Sequence, residues 1–231
     1  MDAAEKQPEH AFRINAEAAG ELAQMARAAN VPMIQVSTDA VFDGTQGDYK
    51  ENDAPNPLNT YAKSKLAGEQ AGAEANPEAA IARVVFYGWS LTGTRSLAEF
   101  FYNNLSANKP VNGFTDMFFS PLYVGHLAEA LLEMLEKRLC GIYHVYAPES
   151  LSKYDYGVQL AHEFGLDASL IHPISALDSD LLARRSLNLS MNTDKLQAAL
   201  GKPSPSQAEG LRALHADFDS GLRQTLLSLN H

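Results

Sequence analysis

The chain has 231 residues, 45% of them hydrophobic and 20% charged, and 18 basic against 28 acidic side chains give it a formal charge of −10. That balance suits a globular protein with a sizeable core, and it argues against nucleic acid or anionic membrane as the main partner. Cys140 is the single cysteine, so no intrachain disulfide can form, and no apolar run approaches the ~18 residues of a membrane span. With an acidic, helix-prone N-terminus unlike a targeting peptide, the expected location is the cytoplasm.

Apolar positions Phe12, Ile14, Ala18, Leu22, Met25 and Ala29 keep helical spacing over residues 10–30, where Asn30 and Pro32 stop the helix. Residues 31–37 then read as a short apolar strand. A loop dense in Gly, Asp, Asn and Pro follows over residues 44–58. Asn59 or Thr60 can cap the next helix, which runs to about Ala75 before Pro77. Residues 80–87 read as a buried strand, 97–105 as a helix, 109–114 as extended and 124–137 as a strong helix. A strand at 141–146, a helix at 153–164, a short strand at 169–174 and helices at 193–200 and 207–222 complete the chain. Strands alternating with helices predict a doubly wound, Rossmann-like, mostly parallel α/β sheet. Residues 1–92 are expected to form the sheet domain with the catalytic helix. Residues 93–231 are expected to form mainly a small α/β substrate lobe, interleaved with that sheet.

The chemistry concentrates at Val36-Ser37-Thr38-Asp39 and at Tyr61-Ala62-Lys63-Ser64-Lys65. Tyr61 and Lys65, four apart, lie on one helical face. Reduction of a carbonyl needs a proton delivered to the developing alkoxide, and a phenol beside an ammonium can deliver it. A hydroxyl from Thr38 or Ser37 can fix the carbonyl. Alone, the Tyr-x-x-x-Lys spacing is equally that of an ordinary amphipathic helix with a snorkelling lysine. The seven histidines show no metal-ligand spacing, so no metal site is expected.

Ser37-Thr38-Asp39-Ala40-Val41-Phe42-Asp43-Gly44, followed by Asn56-Pro57-Leu58-Asn59-Thr60-Tyr61 and Lys65 to Glu69, resembles the extended short-chain dehydrogenase/reductases. Within them it is most similar to the dTDP-4-dehydrorhamnose reductase group. Arg83-Val84-Val85-Phe86-Tyr87-Gly88, Ser120-Pro121 with Tyr123-Val124, and Arg184-Arg185-Ser186-Leu187-Asn188 extend the resemblance over nearly the whole chain. It implies NADPH- or NADH-dependent reduction of a 4-keto nucleotide-sugar, as in dTDP-rhamnose biosynthesis, by a chain that can form a homodimer. It implies Tyr61 as proton donor, Lys65 as ribose-binding partner and Thr38 as the third catalytic hydroxyl. Ser37 and Asn15 would join Tyr61 and Lys65 on the cofactor side. Asp39, Val41, Phe42 and Arg185 would contact substrate.

Three departures bear on the sugar bound: Ala40 stands where the group has Tyr, Ser186 where it has Pro, and Phe118-Phe119 where it has a more polar stretch. A fourth concerns the cofactor, because no G-x-G-x-x-G turn occurs in the sequence. The expectation is an N-terminally truncated domain with little NAD(P)H binding of its own and an exposed apolar sheet edge. Two alternatives stand beside the reductase. One is a non-catalytic regulatory subunit, since the resemblance extends to the methionine adenosyltransferase β subunit; the other is an inactive fragment.

Overall fold

The structure, a computed structural model, describes residues 2–178 and 186–229. Two short helices, α1 (Asp2–Lys6) and α2 (Pro8–Phe12), lead into a π-helical turn at Arg13–Glu17 and then α3 (Ala18–Ala28). Sequence periodicity predicts one continuous helix here. The π turn adds a residue to the winding, a local widening common at functional sites.

Strand β1 (Ile34–Thr38) is followed by a 3₁₀ turn at Asp39–Val41, a long loop, and α4 (Thr60–Ala75). Asn59 caps α4, its side-chain oxygen accepting the Ala62 N–H at 2.9 Å. Strand β2 (Ala80–Val84) is buried at every position, and the predicted longer strand breaks at Val85 before the two-residue β3 (Phe86–Tyr87). Further along come α5 (Leu97–Ser106), β4 (Val111–Phe114), β5 (Phe118–Phe119), β6 (Leu122–Tyr123) and α6 (Val124–Glu136). They are followed by β7 (Gly141–Val145), β8 (Leu151–Ser152), α7 (Lys153–Glu163) and β9 (Ile171–Ile174). Last are β10 (Asn188–Leu189), α8 (Asp194–Leu200), α9 (Gln207–Asp219) and α10 (Leu222–Ser228). The single C-terminal helix expected over 207–222 is thus two, divided where Gly221 takes a φ of 82°.

The main sheet runs β1-β2-β7, all parallel, with Ser37 beside Arg83 and Arg83 beside His144 in register. Around it lie parallel pairs β3·β6 and β4·β9 and a small sheet in which β5 pairs parallel with β10 and antiparallel with β8. These two- to four-residue pairings are too short to carry a periodicity, and sequence reading finds among them only β4, β9 and, as the end of a longer strand, β3.

Buried residues fall into three groups. One packs Ala80, Ala82, Val84, Leu127, Met134 and Leu196 between the sheet and α6 and α8. A second, rich in aromatics, surrounds Tyr87, Trp89, Phe101 and Tyr156. The third joins Val41, Phe42, Tyr49, Tyr146 and Met191 beneath the loop after β1. Helix α4 covers the other face of the main sheet, brought close by Gly68 and Gly72. A Cβ at Gly68 would lie 2.0 Å from the Asn15 carbonyl oxygen, and one at Gly72 2.0 Å from Gln35 Oε1. Between α4 and the sheet, Glu69 pairs with Arg83 at 2.7 Å, both nearly inaccessible, and Ser37 Oγ donates to Glu69 at 2.5 Å. No helix among the described residues is long and apolar enough to cross a membrane.

Candidate active site

Parallel α/β sheets place ligand sites beyond the carboxyl ends of their strands. Thr38 is the last residue of β1, and the start of α4 brings Tyr61 over it. The Thr38 hydroxyl donates to Asp39 Oδ1 at 3.0 Å, and its oxygen accepts the Ala40 N–H at 3.2 Å. Tyr61 lies beside Thr38, whose hydroxyl favours the phenolate. Tyr61, Thr38 and Asp39 thus stand side by side, the last with a carboxyl group 6% exposed.

Burial raises the Tyr61 pKa above the ordinary phenol value, and Asp39 adds to the rise, while the Thr38 hydroxyl works against it. The Asp39 carboxyl is pushed up to about 6 by burial, opposed by Thr38 and by the charge of Lys153. Lys65 stands one turn along α4 and donates to the Val36 carbonyl at 2.7 Å. Burial holds its ammonium below the usual lysine value. Its amine is therefore docked on β1 rather than on the Tyr61 phenol, and it is not among the groups that shift Tyr61.

Of the expected site residues, Thr38, Tyr61, Lys65 and Asp39 come together. Asn15 lies one shell behind: its Nδ2 donates to Ser64 Oγ at 2.9 Å, and Ser64 Oγ donates to the Tyr61 carbonyl at 2.8 Å. Ser37 is turned inward to Glu69, its hydroxyl committed to the buried ion pair. Val41 and Phe42, expected at substrate, are wholly buried instead. Phe42 stacks on Tyr49 at 4.3 Å, and the 3₁₀ turn rotates both side chains into the core beneath the loop. Arg185 lies outside the described residues.

A cavity of about 120 Å³ opens beside Asp39 and Asn59, walled by Ala40, Val85, Met117, Phe118, Phe119 and Leu189, with Lys153 and Ser186 as its other polar members. Two of the sequence departures, Ala40 and Ser186, and the Phe118-Phe119 pair therefore fall on one wall system. Sequence reading misses Met117 and Lys153, because only the pairing of β5 with β8 and β10 carries them to β1. A larger cleft of about 260 Å³ lies at the opposite, amino ends of the strands, between Arg27, Pro77 and Arg138. It is remote from Thr38 and Tyr61.

Tyr61 and Lys65 suit the nicotinamide-ribose end of a dinucleotide, a hydroxyl and an ammonium on one helical face. Among the described residues no glycine-rich strand-to-helix turn follows β1, where the chain continues instead into the 3₁₀ turn and loop.

A parallel α/β sheet with a tyrosine, a lysine and a strand-end threonine converging at its carboxyl edge defines the Rossmann-like short-chain reductase class. The chain belongs to the family of the RmlD substrate binding domain, whose model matches residues 1–220. It is 34% identical over 222 residues to the "Probable low-salt glycan biosynthesis reductase Agl14" of Haloferax volcanii, covering 94% of this chain and 74% of that protein. It is also 34% identical over 213 residues to methionine adenosyltransferase 2 subunit beta of Pongo abelii, covering 88% of this chain but only 63% of the relative. Among solved structures, dTDP-4-dehydrorhamnose reductase from Bacillus anthracis, in complex with NADP, superposes with a TM-score of 0.87 at 26% identity, over 94% of this chain and 76% of the other.

Proposed function

We propose that the chain carries the proton-delivering and sugar-binding part of an NAD(P)H-dependent reductase of a 4-keto nucleotide-sugar. The observation that carries this reading is the juxtaposition of Tyr61, at the start of α4, with Thr38 and Asp39 at the carboxyl end of β1, Lys65 standing one turn along on the same helix. A bound nicotinamide supplies the hydride. Tyr61 gives its proton to the carbonyl oxygen as negative charge develops there. Thr38, beside that phenol, orients the carbonyl. Lys65 secures α4 against β1 and presents positive charge to a ribose. Burial keeps Tyr61 protonated at neutral pH, the state in which it can donate.

The test is reduction of dTDP-4-dehydrorhamnose followed by loss of reduced-nicotinamide absorbance. Tyr61→Phe is expected to lower turnover by about 10²- to 10⁴-fold, the usual worth of a positioned acid. Reduction that survives this change at full rate rejects the assignment. The similarity to methionine adenosyltransferase 2 subunit beta supports a second reading, a regulatory subunit without turnover. Adding the chain to purified methionine adenosyltransferase and measuring that enzyme's KM separates the two: a shift that is unchanged by Tyr61→Phe favours the subunit.

A further inference from the structure

The cleft at the amino ends of the strands is built from the turns that end three helices. Residues 26–33 carry the chain from α3 into β1, residues 76–78 lead from α4 towards β2, and residues 138–140 lead from α6 towards β7. A helix C-terminus ordinarily offers free carbonyls and favours a cation. Here several of those carbonyls are already bonded. The Val31 N–H donates to the Ala26 carbonyl and the Leu139 N–H to the Met134 carbonyl, with Asn30 and Arg138 in the left-handed region at φ of 54° and 50°. At the end of α4, the Ala75 carbonyl accepts from the Arg27 guanidinium at 3.3 Å.

What the cleft presents is mainly donors. The Arg138 guanidinium has no hydrogen bond or ion pair among the described residues, and that of Arg27 has only the Ala75 bond. Asn76 lines the cleft and is 3% exposed. Its Oδ1 accepts the Glu78 N–H at 3.2 Å, which leaves its Nδ2 without a partner among the described residues. A donor so enclosed is best satisfied by an acceptor that enters the cleft. Against the two guanidiniums the described lining sets one carboxylate, the exposed Glu78, so its balance is positive in a chain of charge −10. Between the polar groups the walls are apolar, from Val31, Pro32, Leu135 and Leu139, and the volume of about 260 Å³ is more than a bare phosphate needs.

We infer that this cleft is a second ligand site, which takes a small organic oxyanion: a carboxylate or phosphate monoester with an apolar body. Its oxygens would meet Arg27, Arg138 and the Asn76 amide, and its body would lie against Val31, Pro32 and Leu139. Guanidinium forks match the paired oxygens of either head group. A cation is repelled by the arginines, and a wholly apolar ligand leaves Asn76 Nδ2 unanswered. The inference goes beyond the reductase reading and does not depend on it, since Thr38 and Tyr61 stand at the other end of the strands.

Cys140, exposed on the cleft and the single cysteine of the chain, reports occupancy through its rate of alkylation. The experiment follows N-ethylmaleimide labelling of the full chain by mass spectrometry while phenyl phosphate, benzoate, inorganic phosphate or benzylamine is titrated in. Phenyl phosphate and benzoate are expected to slow labelling saturably, and the lower half-point identifies the preferred head group. Inorganic phosphate should need about tenfold more, the factor that roughly 60 Å² of buried apolar surface supplies. Benzylamine should not protect. Arg27→Gln and Arg138→Asn should each raise the half-point by about fivefold, the upper end for an exposed charge pair. Asn is used at 138 because it tolerates the left-handed backbone there. Asn76→Asp keeps the acceptor for Glu78 and replaces the donor by a charge, so it should abolish protection. Labelling that neither organic anion slows overturns the inference, as does equal protection by benzylamine. Half-points unaltered in both arginine variants overturn it too, and inorganic phosphate as effective as phenyl phosphate rejects the apolar body. The reductase reading fails separately: reduction that ignores Tyr61→Phe, beside unchanged protection of Cys140, rejects the proton donor and keeps the cleft.

Discussion

Asp39 and His144 show how single buried groups set opposing pH dependences. The Asp39 carboxyl stands at about 6, above its ordinary 3.8, because burial penalises its charge. Between pH 4 and 6 the unfolded chain loses this proton first, so the group lowers stability as pH rises and its full cost applies above about 6. That cost is on the order of 3 kcal/mol. His144 is held down to about 4, chiefly by burial and then by the Arg83 charge. It therefore stays neutral in the fold, and stability is lost as pH falls from 6.5 to 4. Asp39→Asn is expected to stabilise the chain at pH 7 by up to about 3 kcal/mol and to change little at pH 4. Urea unfolding across this range measures it, and the variant should show the His144 slope alone. The Tyr61–Lys65 pair is legible in the sequence because four residues make one helical turn, whereas Thr38, 23 positions upstream, is singled out only by the motif around it. Val41 and Phe42 were misplaced because a single 3₁₀ turn decides which way side chains leave a strand end.

At the scale of elements, α4 and its seat on the sheet decide where Tyr61 stands. The sequence shows α4 through its Asn59 cap and its Pro77 stop, but its two glycines read there only as weak helix formers, each costing about 1 kcal/mol relative to Ala. Their reason is contact: Gly68 meets the Asn15 carbonyl of the π turn, and Gly72 meets Gln35. Gly68→Ala is expected to destabilise by about 3 kcal/mol, at the upper end for overpacking, because the atom it strikes is backbone. A denaturant melt checks this, and Ala at the exposed Gln70 serves as the control. The Glu69–Arg83 pair is a second anchor. Glu69→Gln leaves a buried guanidinium uncompensated and should cost about 3–5 kcal/mol, whereas changing both residues to Met should cost far less. Neither the π turn nor this pair could be read from sequence, since both depend on partners 14 to 53 positions away.

For the whole molecule, the alternation of helices and strands was sufficient to predict a parallel α/β sheet, and the order β1-β2-β7 bears that out. The two-residue pairings outside that sheet are beyond reach, because strands so short have no period to detect. Apolar side chains are exposed on the N-terminal helical segment and β1: Ile14 is 54% exposed, Leu22 58%, Met25 66% and Val36 40%. Leu22 and Met25 are three apart on α3 and share a face. Sedimentation of the chain should show concentration-dependent association. Leu22→Lys with Met25→Lys should suppress it and leave the melting temperature within a few degrees, since neither side chain lies in a core group.

One tether has a bearing on how the protein is made. The loop that follows Thr38 and Asp39 is fastened by residues synthesised more than 140 positions later. Ser186 holds the Phe42 carbonyl, the Asn188 N–H holds Gly44, and Tyr49 bridges to Met191. Closing so long a loop is slow relative to local helix formation. On the ribosome, α4 and its tyrosine can therefore wind early, while the cavity beside Asp39 acquires the part of its wall that Ser186 and Leu189 supply only when the last fifth of the chain has emerged. A nascent chain stalled before residue 186 should be cut readily by protease between Asp43 and Tyr49, and the released full chain should resist.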